Sequence, residues 1–414
     1  MIDITFDYVA YPLWRQRLPA WFKPLADAIL GQLYPVQEDR HPPADPMMMA
    51  QSLSKWRLVN EPLQAIAAAL ADVPSQAIEV VDMQAQAEPH DGSPIHLPAQ
   101  WEATERVLLA WPIVYPSVWP MHAQMAEAIS PVALCDICVP TELWARAVYL
   151  YLARRGRAKL DNVCLLVLPT NDIWIRDYGP IVGRGADGAR VALDATYAVL
   201  PQYPQGDDDA MPIHYAAHRR LKLQRLPLYA EGGNLWTDGR GTLIMSEQIF
   251  YSNPYHDRDA LLRVLHQHIA FDKLILTPRL TLEETGHVDL LLKLVSPEVA
   301  LVSAPTWTSS EALRKARRTL ERATNAQGQP YTLLELPTPP LKLNWFAYTL
   351  RRHYTNALTV NGRVLVPVYR LPSDEPALRI YEQAMPDYEI IPIDSAIGAT
   401  GGGAVHCMTK EIPR

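Results

Sequence analysis

Short apolar runs alternate with amphipathic stretches from Leu97 to the end of the chain. The apolar runs have the length and composition of β-strands, as in RVLLAWP, VALCDICV and NVCLLVLP. The amphipathic stretches repeat apolar residues at helical spacing, as in ELWARAVYLYLARRG and SEALRKARRTLERAT. The sequences GRGADG and NGRV are typical of hairpin turns, which favours mixed rather than purely parallel sheets. The pattern therefore predicts an α/β or α+β domain.

The first 96 residues have a different pattern. Helical spacing of apolar residues occurs at 21–33 and again at 48–71, where Pro62 interrupts it. A polar stretch with acids and prolines, QAQAEPHDGSP, follows and is predicted to be a linker. We therefore expect residues 1–96 to form a mainly helical extension with a linker, and residues 97–414 to form the main domain.

Composition and charge narrow the classes of function. The 414 residues are 49% hydrophobic and 20% charged, which is enough apolar material for a substantial core. The formal net charge of -7 argues against general nucleic-acid binding and favours the approach of a small cation. The acidic run at residues 207–209 is predicted to be a solvated loop. No uninterrupted apolar stretch approaches the roughly 20 residues that span a bilayer, so no membrane partner is expected.

Cysteine usage bears on the cellular compartment. Four cysteines are too few for a disulfide scaffold in a chain of this length, which favours a reducing compartment. The first residues lack a basic region followed by a continuous apolar region, so no secretory signal is expected. We therefore expect a soluble, cytoplasmic protein.

Two motif-like spacings are interpreted as structural. Gly183, Gly185 and Gly188 match G-x-G-x-x-G, but a strand-like segment follows them instead of the helix that a phosphate site requires. They are predicted to form a hairpin turn. Cys135 and Cys138 form C-x-x-C within an apolar run, where residues three apart on a strand point to opposite faces. Such thiols do not converge on a metal, so we predict no metal site.

Four short segments combine charged or reactive side chains in ways that core packing does not explain. Their sequences are WIRDYGP at 174–180, EGGN at 231–234, GHVD at 286–289 and GGGAVHC at 401–407. If residues 286–289 begin a strand, His287 and Asp289 share one face and reach one ligand. Together the segments supply a thiol, an imidazole and several carboxylates, which are the components of a catalytic site.

The carboxylates decide which reaction fits these components. A Cys with a His suggests acyl transfer, but Asp177, Asp289 and Glu231 would raise the pKa of the Cys407 thiol and would not stabilise an oxyanion. They fit a substrate that is itself a cation. A planar guanidinium has N–H donors that match carboxylates bidentately, and its charge would favour the thiolate.

The four segments, in this order, resemble the agmatine deiminase and bacterial-type (porphyromonas-type) peptidylarginine deiminase family of the guanidine-modifying, or pentein, superfamily. The family patterns W-x-R-D-x-G-P, E-G-G-N and G-H-V-D are present unchanged. The pattern G-G-G-N-I-H-C-I-T occurs with Ala404, Val405 and Met408 as variants, and lesser matches include Tyr354-x-Asn356. The resemblance covers residues 97–414 and leaves residues 1–96 as an addition to the family core.

The resemblance implies a fold and a mechanism. The fold would be a five-bladed, pseudo-symmetric α/β-propeller with the site near its centre. Cys407 would attack the guanidinium carbon and form a covalent amidino-thioether with loss of ammonia. His287 would protonate that ammonia and then deprotonate the hydrolytic water. Asp177 and Asp289 would hold the guanidinium nitrogens, while Glu231 would pair with His287 or with a substrate nitrogen.

The remaining polar, aromatic and glycine residues of these segments are predicted to contact the substrate, and neither a metal nor a cofactor is expected. These predicted contacts are Trp174, Arg176, Asn234, Gly402 and Gly403. The partner predicted from the sequence is a small cationic guanidino compound. The sequence is also compatible with assembly into a homo-oligomer.

The substrate is less closely defined than the reaction. Agmatine would give N-carbamoylputrescine and ammonia, and free arginine or peptidylarginine are alternatives of the same class. Ala404 replaces the Asn of the family pattern and Lys410 replaces a Gln that follows it, so the pocket for the far end of the substrate could differ. An amidinotransferase and a non-catalytic guanidine-binding protein are the alternatives from other classes.

Overall fold

Among the residues that the computed structural model describes, the same arrangement of three strands occurs five times. In each unit a first strand pairs antiparallel with a second strand, and the second pairs parallel with a third. At least one helix connects the second strand to the third. These five related α/β units confirm the predicted fold class.

The structure describes residues 20, 73–113, 115, 118–197, 205–280, 285–306, 310–340, 342–343 and 349–414. The two helices predicted within residues 21–33 and 48–71 lie outside these residues.

The described strands are numbered along the chain. They are β1 (Ile78–Val80), β2 (Thr104–Ala110), β3 (Leu134–Val139), β4 (Val163–Val167), β5 (Ile181–Arg184), β6 (Arg190–Thr196), β7 (Lys222–Tyr229), β8 (Trp236–Thr237), β9 (Thr242–Ser246), β10 (Lys273–Thr277), β11 (Leu292–Ser296), β12 (Val299–Ser303), β13 (Thr332–Leu336), β14 (Lys342–Leu343), β15 (Thr349–Leu350), β16 (Leu358–Val360), β17 (Arg363–Val368), β18 (Glu389–Asp394) and β19 (Lys410–Pro413).

The described α-helices are numbered in the same way. They are α1 (Trp119–Ile129), α2 (Glu142–Arg155), α3 (Ile175–Tyr178), α4 (Gly206–Arg219), α5 (Gln248–Ser252), α6 (Arg258–His268), α7 (Ser310–Arg322) and α8 (Asp374–Ala384). Single 3-10 turns occur at Ser75–Ala77, Leu160–Asn162, Gly232–Asn234, Val288–Leu290 and Gly398–Gly401. No helix in the described part of the chain is long and apolar enough to cross a membrane.

The sheets of the five units follow the chain order, except that the first is completed by the C-terminal strand, and β14 and β15 form a separate two-stranded sheet. The units are β19-β2-β3, β5-β6-β7, β8-β9-β10, β11-β12-β13 and β16-β17-β18, and β4 and β1 extend the first of them. Because β19 pairs with β2, the end of the chain closes onto its first unit. This closure holds the segment around Cys407 beside the other units.

Hairpin turns form where the sequence predicts them. Asn361 and Gly362 have φ of 40° and 82° between β16 and β17, the left-handed pair that a tight hairpin requires. Gly185 and Gly188 lie in the turn between β5 and β6, and the Gly185 N–H donates to the Ala189 carbonyl. The G-x-G-x-x-G spacing is therefore a hairpin turn, as predicted.

Strand β3 is covered on both faces, as its alternating sequence requires. Cys135 packs in an apolar cluster with Trp119 and Trp144 of α1 and α2. Cys138 belongs to a different cluster, with Tyr215 of α4 on the opposite face. This confirms that the two cysteines point apart.

Residues 73–96, which include the predicted linker at 84–94, pack on the domain. Strand β1 pairs parallel with β4, Pro89 forms a β-bridge with Leu223, and Ile95 is completely buried. Residues 73–96 are therefore attached to the units that follow them, whereas the predicted boundary near residue 97 remains a prediction.

The acidic run at 207–209 is not the solvated loop that was predicted. It forms the first turn of α4, where negative charge is favourable because of the helix dipole. Asp208 is completely buried, and its carboxylate accepts the backbone N–H of Asn171 at 2.7 Å and of Asp172 at 3.3 Å. The run therefore joins α4 to the loop before α3.

Candidate active site

One short polar turn leads into the first strand of every unit. The turns are α3 before β5, Gly232–Asn234 before β8, Val288–Leu290 before β11, residues 354–355 before β16 and residues 405–408 before β19. They meet through hydrogen bonds, such as the Arg176 N–H to the Cys407 carbonyl at 3.1 Å and the Gly233 N–H to Asp177 Oδ1 at 3.0 Å. The fivefold repeat therefore brings the four predicted segments to one place.

Cys407 is buried and lies between an amide and a carboxylate. Its Sγ is 3.0 Å from Asn356 Nδ2 and 3.8 Å from Asp289 Oδ2. Asn356 also donates to Asp289 Oδ2 at 3.1 Å. The Asn356 Oδ1 accepts the backbone N–H groups of Ala404 and Cys407, at 3.1 and 3.2 Å, which fixes the turn that carries the thiol.

His287 lies between two carboxylates. Its Nε2 is 2.6 Å from Glu231 Oε2, and its Nδ1 is 3.5 Å from Asp177 Oδ1. The imidazole is almost completely buried. Both ring nitrogens therefore face acceptors, an arrangement that favours the doubly protonated imidazolium.

Two glycines allow these groups to approach one another. A Cβ at Gly233 would lie 2.6 Å from both Asp177 Oδ1 and His287 Nδ1. A Cβ at Gly403 would lie 2.5 Å from the Trp174 ring and 2.8 Å from the Cys407 Cβ. Any side chain at these positions would force the neighbouring groups apart.

Burial and mutual charge shift the pKa values of the cluster. Burial raises the pKa of Asp177 to about 6, although the nearby imidazolium opposes that shift. Burial lowers the pKa of His287, but the carboxylates of Asp177 and Glu231 outweigh it and raise the pKa to about 10. Burial and the Asp289 and Asp177 charges raise the pKa of Cys407 well above its usual value. The thiol therefore needs a nearby cation to ionise at neutral pH.

The guanidinium of Arg176 contacts other groups of the protein. It donates to both carboxylate oxygens of Glu411, at 3.0 and 2.5 Å, and to the His406 carbonyl at 3.2 Å. This bidentate pair joins α3 to β19. Three of its N–H donors are thus engaged within the protein, and substrate contact by Arg176 stays a prediction.

Asn234 is also engaged within the protein. Its amide accepts the Ser246 N–H at 2.8 Å and donates to the Ser246 carbonyl at 3.4 Å, so it fastens its turn to β9. Substrate contact by its side chain also stays a prediction. Trp174 is half-buried beside Gly403, and Gly402 has a φ of 104° that favours glycine. These three remain predicted substrate contacts.

The local structure at His287 differs from the strand that was predicted. His287 has extended backbone, but Asp289 lies within the 3-10 turn Val288–Leu290, and β11 begins only at Leu292. The predicted strand at residues 286–289 is therefore wrong. Both side chains reach the site because the turn, rather than a pleated strand, aims them there.

Several groups at the site were missed in the sequence. Asn356 is the contribution of the fifth unit, and its only sequence signal was the lesser match Tyr354-x-Asn356. His406 precedes the nucleophile and contacts Asp289, with Nδ1 2.8 Å from Oδ2. Lys410, which the sequence marks as a departure from the family pattern, is buried close to Gly232, and burial and the Arg176 charge lower its pKa to about 7. Within the residues that the structure describes, no cluster of three or more His, Cys, Asp and Glu could hold a metal ion.

Comparisons with known proteins relate most of the chain to one family. Residues 96–413 match the Porphyromonas-type peptidyl-arginine deiminase family. The agmatine deiminase of Ectopseudomonas mendocina is 27% identical, over 77% of this chain and 95% of the relative. That of Pseudomonas syringae pv. tomato is 28% identical over the same shares.

A solved structure shows the same fold. The agmatine deiminase of Enterococcus faecalis superposes with a TM-score of 0.71 at 21% identity, over 79% of this chain and all of that one. The family match covers more than half of the sequence, and its extent agrees with the five units seen in the structure. The chain belongs to the Porphyromonas-type peptidyl-arginine deiminase family.

Proposed function

We propose that this protein hydrolyses the guanidinium group of agmatine, giving N-carbamoylputrescine and ammonia. The observation that carries the proposal is one cluster in which a buried thiol, an imidazole between two carboxylates and a further carboxylate meet. Three carboxylates and a thiol share one buried place with the single imidazolium of His287, so a further cation would lower the cost of their burial. A flat cation with N–H donors along its edges meets that requirement.

Binding of the guanidinium would prepare the nucleophile. Asp177 and Asp289 would accept its N–H groups and place its carbon near the Cys407 Sγ. The positive charge would offset the carboxylates that raise the pKa of Cys407, so the thiolate forms when substrate is present. Substrate would thus activate the thiol that attacks it.

The first half of the reaction would form a covalent intermediate. The thiolate of Cys407 adds to the guanidinium carbon and forms a C–S bond, with the electron pair of one C–N π bond moving to nitrogen. His287, held as imidazolium, donates its proton to the leaving nitrogen. The C–N bond breaks, ammonia leaves, and an amidino-thioether on Cys407 remains.

The second half would consume water. His287 is now neutral and takes a proton from a water molecule that adds to the amidino carbon. Collapse of this second tetrahedral intermediate breaks the C–S bond and restores the thiolate of Cys407. The remaining hydroxyl proton passes to the released ammonia or to solvent, and the neutral ureido product leaves. Glu231, at 2.6 Å from Nε2, would keep the imidazole oriented through both proton transfers.

Agmatine is preferred on the strength of the relatives. Two proteins named as agmatine deiminases match almost their whole length to this chain. The name of the family makes peptidylarginine the alternative substrate of the same class, and free arginine is a third. We also propose that residues 97–414 form the catalytic domain and that residues 1–96 are an addition to it.

A turnover panel tests the proposal. The purified protein is incubated with agmatine, arginine or a blocked arginyl peptide, and ammonia and ureido product are measured. We expect agmatine to give equal amounts of both without any added amine, which excludes an amidinotransferase. Cys407→Ala should abolish turnover, whereas the control Cys164→Ala, which removes a thiol from β4, should keep it. Binding without turnover of any of the three compounds would contradict the proposal.

A further inference from the structure

His406 contacts the carboxylate that lies closest to the nucleophile. Its Nδ1 is 2.8 Å from Asp289 Oδ2, which also accepts from Asn356 and lies 3.8 Å from the Cys407 Sγ. His406 is the residue immediately before Cys407. Asp289 Oδ2 therefore has one partner in the chain segment that carries the thiol and another in the turn of the fifth unit.

The imidazole of His406 is itself fixed in place. It is completely enclosed and stacks on Trp236, with ring centroids 4.9 Å apart and planes 20° from parallel. The Trp236 Nε1 donates to the Leu292 carbonyl at 3.1 Å, so the indole cannot turn away. A rigid stack of this kind leaves the His406 Nδ1 aimed at one point.

The contacts of His406 determine its tautomer. Because Nδ1 faces a carboxylate oxygen, Nδ1 carries the proton and donates it. Burial and the charges of Arg176, Lys293 and Lys410 lower the pKa of His406 well below its usual value, so the ring is neutral. The Nε2 is buried beside a cavity of about 50 Å³ that Gln100 and Lys410 also line, and no protein group among the described residues pairs with it.

A neutral donor has an advantage over a charged one at this position. An imidazolium would neutralise Asp289 and weaken its attraction for a cationic substrate. A neutral N–H of His406 orients the Asp289 carboxylate and leaves its negative charge available to bind the substrate. The two histidines of the site are thus opposite in character, since carboxylates keep His287 charged and burial keeps His406 neutral.

We propose that His406 is a positioning residue, which holds the Asp289 carboxylate in the orientation that grips the guanidinium beside Cys407. The inference rests on the proposed function, because it assigns Asp289 to substrate binding. His406 does not touch the reacting atoms in this account. It acts through Asp289, and the stack on Trp236 supplies its rigidity.

Two substitutions separate the donor from the ring. His406→Phe keeps an aromatic ring against Trp236 but removes the N–H that Asp289 accepts. His406→Asn removes the ring but places an amide N–H close to the position of Nδ1. The loss of a hydrogen bond to a charged group should lower kcat/KM for agmatine by about 10- to 100-fold in the Phe variant. The Asn variant should recover most of that loss.

The opposite ranking would overturn the proposal. If His406→Phe is more active than His406→Asn, the ring contributes packing and not a donor. Equal activity of wild type and His406→Phe would refute it as well. Thermal unfolding checks that the variants fold, and His406→Leu replaces His406→Phe in the comparison if the larger ring is not accommodated.

A double-mutant cycle links the effect to Asp289. In an Asp289→Asn background, His406→Phe should cause little further loss, because the group that it positions has already been changed. Independent losses that multiply would contradict a role through Asp289. The proposed function fails separately, because in that case wild type itself would not turn over agmatine, arginine or the arginyl peptide.

Discussion

Replacement of Gly233 by alanine tests the packing of the catalytic cluster without removing any functional group. The added Cβ would lie 2.6 Å from both Asp177 Oδ1 and His287 Nδ1, which are 3.5 Å apart. Favourable contacts of carbon begin near 3.5 Å, so each group must move by most of an ångström. Gly233 is not among the described glycines with positive φ, so alanine is compatible with its backbone.

The size of the expected effect follows from that displacement. A misplacement of about 1 Å at a catalytic group costs roughly 100-fold in rate, so Gly233→Ala should lower kcat/KM for agmatine by about that factor. The assay is ammonia release, with thermal unfolding as a check on the fold. Gly206→Ala is the control, because Gly206 begins α4 and a Cβ there would meet nothing within 4 Å. A Gly233→Ala enzyme with more than a third of wild-type activity would refute the reasoning.

Three further predictions concern the charges of the site. Below about pH 6 Asp177 is protonated in the free enzyme and loses its attraction for a cation. The value of kcat/KM should therefore fall about tenfold per pH unit, and a flat pH profile down to pH 5 would contradict this. Glu231→Gln should lower the pKa of His287 by roughly one to two units, as measured by NMR titration of the imidazole, because a charge-assisted hydrogen bond is weakened. Glu411→Ala should lower the free energy of unfolding by about 3 kcal/mol, because the buried Arg176 would be left without its carboxylate partner. A loss under 1 kcal/mol in chemical denaturation would show that the ion pair contributes little to stability.

Much of the fold was predictable because local sequence and tertiary structure agree. The apolar run that became β3 has two buried faces, and the turn around Asn361 and Gly362 has the residues that its backbone requires. The number of units came from family resemblance, since no repeat of sequence identity marks them. The antiparallel-parallel pairing that defines a unit depends on contacts between distant strands, which periodicity does not encode.

The site was predictable in its reactive groups and less so in its supporting ones. Cys407, His287 and the three carboxylates combine unusual residue types with glycine-rich segments, which is a signal that sequence retains. Arg176 and Asn234 lie in the same segments, but their side chains also bond to partners within the protein, Glu411 and Ser246, that the segments do not reveal. Proximity in sequence does not determine such partners.

The acidic run at 207–209 illustrates the same limit. Its charge suggested solvent, but Asp208 is buried because the backbone N–H groups of Asn171 and Asp172 stabilise its carboxylate. Those donors lie more than thirty residues away in the chain. No local pattern reveals such a partner.

The central claim is that a carboxylate-rich pocket lets the Cys407 thiolate attack a guanidinium carbon. Its most direct test is mass spectrometry of enzyme quenched with acid during turnover of agmatine, followed by peptide mapping. The account predicts an adduct on the peptide containing Cys407, with the mass of agmatine less one ammonia, that disappears when substrate is exhausted. Full turnover by Cys407→Ser with no adduct on any cysteine would contradict it.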